Sequence, residues 1–196
     1  LQVPMAVNPP AAGAAADHVM SLVGLMDRLD RAGYAVHVRP DAPATMAGLW
    51  CEDGVLKPSG IWYARGAAWL RFLTTDWPEE LDNSVFVYAL PLSPTPLLEL
   101  SCGEDTRDLI DSFGVRDGTS IDWTALTGCF HGLHIEEFLD EFRHLDWYNS
   151  WAVGAAGVVW DPAALHEDAH VRGPLMMAVR MPDGRYFSKL DLEDGG

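Results

Sequence analysis

The chain has 196 residues, enough for one domain with a real core, with or without an arm. Thirteen basic residues against 29 acidic ones give a formal charge of −16, which argues against binding phosphate backbones or acidic membranes. Nearly half the residues are apolar and eight are tryptophan, a composition that excludes disorder, and no run of eighteen apolar residues is present to span a bilayer.

Residues 1–16, LQVPMAVNPPAAGAAA, are rich in Pro, Ala and Gly without a period and read as a flexible arm. Residues 17–196 then form a single domain. Asp17 suits a helix N-cap. Val19, Met20, Leu22, Val23, Met26 and Leu29 follow at helical spacing, and Gly33 suits the stop. YAVHVRP (34–40) alternates as a half-buried strand does. It places Tyr34, Val36 and Val38 on one face, and Ala35, His37 and Arg39 on the other. Asp53-Gly54 marks a turn, GIWYA (60–64) a short aromatic strand, and AAWLRFLTTDW a helix stopped by Pro78.

SVFVYAL (84–90) and PLLEL (96–100) are strand-like, EDTRDLIDSFG (104–114) is a short helix, and 121–126 predicts another. Ile135, Phe138, Leu139, Phe142 and Leu145 recur at helical spacing. They predict a helix over 135–145 with Glu136, Glu137, Asp140 and Glu141 off the apolar face. Trp147 to Trp160 reads as two strands joined at Gly154-Ala-Ala-Gly157, a hairpin that is mostly core with at most one ring reaching a pocket. PLMMAVRM and RYFSKLDL flank Pro182-Asp183-Gly184, a hairpin signal. Helices and strands mix without βαβ alternation, so the expected class is α+β, with a mostly antiparallel twisted sheet and flanking helices.

Several chemistries can be weighed from residue types. Cys51, Cys102 and Cys129 are scattered without a CxxC pair, which favours reduced, buried thiols. Cys129-x-His131-x-x-His134, with His144, has permissible zinc-ligand spacing, and His166 and His170 lie four apart. A pair of loop histidines near a cysteine is the more economical reading, so no metal is expected. No GxSxG, P-loop or GxGxxG supports a serine hydrolase or a nucleotidase. The tryptophans, set among glycines and turns, suit either a core or a wall against which a flat ring slides. No basic segment followed by an apolar run is visible near the N-terminus, so the default expectation is cytoplasmic. Starting at Leu suggests a chain cut from a longer polypeptide or trimmed.

The order of segments carries a resemblance. YAVHVRP holds a central His, KPSGIWYARGAAW is a Gly-aromatic strand running into a helix, extended strands follow, and an acidic segment comes late. This resembles the ADP-ribosyltransferase fold of the poly-ADP-ribose polymerase and diphtheria-toxin type. IDWTALTGCFHGLHI and LDWYNSWAVGAAGVVWDP are similar to segments of uncharacterised phage and bacterial proteins, in which an acid tends to stand where this chain has His134.

The resemblance implies NAD as substrate and a protein target in the manner of a toxin or effector, or else a relative that has lost catalysis. His37 would hold the ribose. Gly60 to Ala64 would be the second motif, with Trp62 or Tyr63 against nicotinamide. Trp69 would be the aromatic on the next helix, Glu136 the late acid at the ribose, and Arg39 and Arg65 the donors to the pyrophosphate. His37, Tyr63 and Glu136 would be the catalytic set. The rival expectation is a non-catalytic acidic interaction module that binds a basic partner, such as an inhibitor, antitoxin or effector adaptor. A zinc-dependent hydrolase is third.

Overall fold

The β-branched Val36 and Val38 and the aromatic run Ile61 to Ala64 lie next to each other at the centre of the fold, as strands β1 (Tyr34–Arg39) and β2 (Ile61–Ala64). The computed structural model describes residues 23–39, 56–78, 85–92, 97–116, 118–165, 175–180 and 186–188. The expected arm over 1–16, the cap at Asp17, the turns at Asp53-Gly54 and Pro182-Asp183-Gly184, and Cys51, His166 and His170 lie outside them, as does the side chain of Arg39.

In chain order, a helix covers 23–31 (α1), then come β1, β2, α2 (Ala68–Asp76), β3 (Val85–Pro91), β4 (Leu97–Leu100) and α3 (Gly103–Phe113). Next are the small pair β5 (Gly114–Val115) and β6 (Ser120–Ile121), then α4 (Trp123–Thr127), β7 (Gly132–Ile135), α5 (Asp146–Asn149) and β8 (Ala156–Val159). Strands β9 (Leu175–Arg180) and β10 (Tyr186–Ser188) close the order. Gly33, at φ +83°, ends the α1 turn in a conformation that side chains resist, and its N–H bonds the Asp30 carbonyl.

Eight strands form one sheet in the order β10-β9-β3-β1-β2-β8-β7-β4. Every neighbouring pair is antiparallel except β4 with β7, which is parallel, so the sheet is mixed and the class is α+β.

The two faces of the sheet differ. Leu25, Met26, Leu29, Leu70 and Leu73 of α1 and α2 pack on Val36, Val38, Val87 and Ala89. Leu109, Leu126, Trp147, Tyr148 and Trp151 pack on Trp62, Leu133, Ile135 and Val158. Because Val36 lies opposite Ala64, one step further along Val38 lies beside Trp62, so these two clusters share one side of the sheet. The opposite face carries Ala35, Ile61, Tyr63, Tyr88, Leu90 and Val159, with Ala164 and Leu165 against them.

Three expectations are corrected. Residues 135–145 are not a helix. Ile135 ends β7, and the segment then turns through a single 3-10 turn at Asp140–Phe142. The apolar period there reflects Phe142 and Leu145 inserting into the helical layer, together with half-buried Phe138 and Leu139, from an irregular loop. Trp147 to Trp160 is not a hairpin but α5, a turn, and then β8. Trp147 and Trp151 are core, and Trp160 is half-buried. Finally, Cys102 and Cys129, expected to be buried, are exposed. The sheet face bearing His37 is buried, with His37 3% exposed.

Candidate functional site

One transverse row of the sheet concentrates polar and aromatic side chains. Tyr88 lies opposite His37, and the β1–β2 register sets His37 beside Tyr63. Tyr63 lies opposite Gly157, Gly157 opposite His134, and His134 opposite Glu99. Residues directly opposite across strands project to the same side, so the row shares the face that carries no α-helix among the described residues, only the 3-10 turn Pro162–Ala164.

Gly157 is the hinge of this row. A Cβ there would collide with the Tyr63 ring and sit 2.8 Å from the Leu133 carbonyl oxygen. Strands β2 and β7 flank β8 and are about 10 Å apart. The rings of Tyr63 and His134 nevertheless lean together over Gly157, nearly parallel at 8° with centroids 5.6 Å apart. No other residue at 157 would permit that stack.

Hydrogen bonds then set the two histidines in different states. The His37 Nδ1–H donates to the Trp62 carbonyl, so its proton sits on Nδ1. His134 Nε2 lies 3.0 Å from Glu136 Oε2; the carboxylate accepts, so Nε2 carries the proton and Nδ1 of the neutral ring keeps its lone pair. His134 Nδ1 and the Tyr63 hydroxyl are buried without a hydrogen-bond partner among the described residues. Burial holds the His134 pKa below its usual 6.5, against the Glu136 hydrogen bond, which raises it. Burial also pushes the Tyr63 phenol far up; Arg65 opposes this, while Glu99 and Glu136 add to it.

Glu136 links the row to a cleft. It is 64% exposed, just past the end of β7, while His134 two residues earlier is 3% exposed. With Arg65 at the end of β2, it lines a cavity of about 590 Å³ whose other charged walls are Asp27, Asp30, Arg71 and Asp76. Arg65 lies 3.8 Å from Asp30, and Arg71 lies 3.8 Å from Asp27. A second cavity of about 540 Å³ opens at the other end of β2 and β8, between Trp123, Trp160, Lys57, Ser59, Thr127 and Asp161. Trp160 is fixed there by its Nε1–H, which donates to the Phe130 carbonyl at 2.5 Å.

The structure therefore brings together His37 and Tyr63 in the row and Glu136 and Arg65 at the cleft, with Glu136 tied to the row through His134. It does not bring in the others. Trp62 follows strand alternation to the opposite face and packs on Trp151 at 4.6 Å, and Trp69 is wedged into the helical layer. Gly60 lies at the far end of β2, where a Cβ would strike the Val159 carbonyl, so packing explains that glycine.

The zinc triple also separates. Cys129 is exposed and free, His131 faces Asp161 at 3.6 Å, and His134 is held by Glu136; no group of potential ligands converges among the described residues. Sequence reasoning missed His134 and Gly157 as members of this site. The signal was present in GLHI, where His134 sits between two apolar residues of a strand, but the helical period just after it drew Glu136 into a different element.

No protein-family model, curated protein or solved structure matches the chain. No described helix is long and apolar enough to cross a membrane.

Proposed function

We propose that the domain binds NAD in the manner of an ADP-ribosyltransferase or a catalytically degenerate relative, with the row His37–Tyr63–His134 receiving the nicotinamide riboside. The observation that carries this reading is the pair of buried, unpartnered atoms, Tyr63 Oη and His134 Nδ1, on adjacent stacked rings. Natural cores pair such groups, and a site that leaves two of them together is suited to a ligand with hydroxyls and an amide. His37 would fix the ribose, the Tyr63 ring would meet nicotinamide, and the Glu136 carboxylate would favour positive charge developing on the sugar. Arg65 would meet the pyrophosphate. The row is closed to solvent in this conformation, so entry requires that face to open.

The test is a calorimetric titration of NAD into the wild type and Tyr63→Phe, with His37→Ala as a second variant. The hydroxyl has no hydrogen-bond partner among the described residues, so Tyr63→Phe is expected to keep or raise stability while weakening NAD binding about tenfold, the loss of one hydrogen bond. Absence of NAD binding by the wild type would refute the proposal.

A second reading, an acidic module for a basic protein partner, is favoured by one surface. Glu104, Asp108 and Asp111 are exposed on one side of α3, and Glu137 and Asp146 are exposed on the segment that Arg107 ties to α3 through Glu141 at 3.1 Å. None of these five acids has a cationic partner among the described residues.

A further inference from the structure

The cavity at the other end of β2 and β8 takes no part in the titratable row. Both strands are four residues long, so a strand length of about 13 Å separates it from the cleft of Arg65 and Glu136. Two indoles wall it. Trp123 opens α4, whose first turn is capped by Asp122 Oδ1, accepting from the Ala125 N–H at 3.0 Å. The Trp123 ring stands edge-on to buried Trp147, at 78° with centroids 6.1 Å apart. Trp160 follows β8, and its indole N–H is engaged by the Phe130 carbonyl. The backbone N–H groups of Trp160 and Asp161 both donate to the His131 carbonyl, at 3.1 and 3.0 Å. The protein thus holds both rings, and both remain half-exposed at the cavity. Aromatic walls fixed in advance lose little entropy when a ligand arrives.

The polar groups between the rings are of mixed kind. Asp161 Oδ1 accepts from the Ala163 N–H at 2.8 Å and so caps the 3-10 turn that Pro162 starts. Its Oδ2 lies 3.6 Å from His131 Nε2, beyond hydrogen-bond range, and keeps its capacity as an acceptor. The Thr127 hydroxyl donates to the Thr124 carbonyl at 3.3 Å, which leaves its oxygen able to accept. Ser59 adds a second hydroxyl, and Lys57 an ammonium 4.5 Å from the centroid of the Trp62 ring. One carboxylate against one ammonium selects neither an anion nor a cation. A flat heteroaromatic ring has too few polar edges for this many hydrogen-bonding groups. A pyranose matches both parts of the wall: its C–H faces lie on indole, and its ring of hydroxyls, each donor and acceptor, meets the carboxylate, the hydroxyls and the ammonium. The volume of about 540 Å³ is that of a small-molecule site and leaves room beyond one sugar ring. We infer that this cleft is a saccharide-binding site, which takes an uncharged sugar unit against Trp123 and Trp160 with Asp161 and Thr127 accepting from its hydroxyls. The inference goes beyond the NAD reading and stands without it, because the two sites share no side chain.

The experiment applies the full chain to an array of neutral and sialylated glycans immobilised at their reducing ends. Maltotriose, cellotriose and chitotriose are titrated free in solution by calorimetry, and both measurements are repeated with Trp123→Ala, Asp161→Asn and Tyr63→Phe. The wild type is expected to bind neutral glycans. Trp123→Ala should weaken that binding at least about tenfold, as removal of an aromatic anchor does. Asp161→Asn keeps an oxygen for the Ala163 N–H, so the turn folds as before. It should weaken binding about tenfold, the loss of one charge-assisted hydrogen bond. Tyr63→Phe, at the titratable row, should bind glycan as the wild type does. Binding of the free trisaccharides alone places a reducing end in the cleft, whereas binding of immobilised chains as well places an internal or non-reducing unit there. No binding of either form by the wild type, binding confined to sialylated glycans, or glycan binding unchanged in both Trp123→Ala and Asp161→Asn would overturn the inference and leave the NAD proposal untouched.

Discussion

At position 157 the absence of a side chain does more than any side chain nearby. Gly157 lies between Tyr63 and His134 on the middle strand of three, and a methyl group there would meet the phenol ring and approach the Leu133 carbonyl oxygen to 2.8 Å. The carbonyl belongs to the sheet backbone and cannot yield, so the ring must. Gly157→Ala is expected to displace Tyr63, break its stack on His134, and destabilise the fold by about 1–3 kcal/mol, as overpacking of a core does. Urea denaturation checks the magnitude; a loss below about 0.5 kcal/mol would mean that the ring has somewhere else to go. Nothing in the sequence around Gly154-Ala-Ala-Gly157 separates this glycine from its neighbour. Gly154 has φ +97° and serves a turn, whereas Gly157 is in a strand and serves a close approach, a distinction that depends on which strand lies on either side.

At the scale of elements, legibility followed how local each signal was. β1, β2, β3, β4, α2, α3 and α4 fall close to where alternation, helical spacing and Gly or Pro stops place them, because those signals act within one segment. The segments 135–145 and 147–160 defeated the same reasoning. Their apolar residues are spaced by the shape of the helical layer they fill, not by the period of an element of their own. The candidate site was half legible: His37, Tyr63 and Glu136 are single residues in recognisable strands, but that His134 joins them depends on β8 running between β2 and β7, a pairing across almost a hundred residues. The acidic side of α3 is the converse, a feature fully visible as Glu104, Asp108 and Asp111 at i, i+4 and i+7. Were this surface the contact for a basic protein, changing those three acids to Asn or Gln would weaken that contact and flatten its dependence on salt, while Tyr63→Phe would leave it untouched. Titration of a basic probe such as polylysine at two ionic strengths checks this; equal binding by the triple variant and wild type would remove the acidic-module reading for this surface.

Taken whole, the molecule separates its labours by sheet face. The described α-helices cover one side with aliphatic and indole packing, and the other carries the titratable row. The row therefore encloses two groups that must stay neutral, and both tie stability to pH. His134 has its folded pKa below the unfolded value of 6.5, so the unfolded chain binds a proton first as pH falls. Its contribution is fully present above about pH 6.5 and is lost as pH falls from there toward the folded pKa. Tyr63 has its folded pKa above the unfolded value of 10.0, so its contribution is fully present below that value and is lost as pH rises beyond it. Asp105, whose carboxylate accepts from the Ser101 and Cys102 backbone N–H groups, has a lowered pKa and adds a further loss within the carboxylate range. The Tm of the wild type is thus expected to hold a plateau between about pH 6.5 and 10 and to fall on both sides. His134→Gln should flatten the first part of the acid fall without touching the alkaline one, and Tyr63→Phe should do the reverse. Thermal melts followed by circular dichroism across that range decide it. An acid limb that keeps its wild-type slope in His134→Gln would mean that the imidazole is already solvated, and the buried, oriented state on which the row depends would be lost with it.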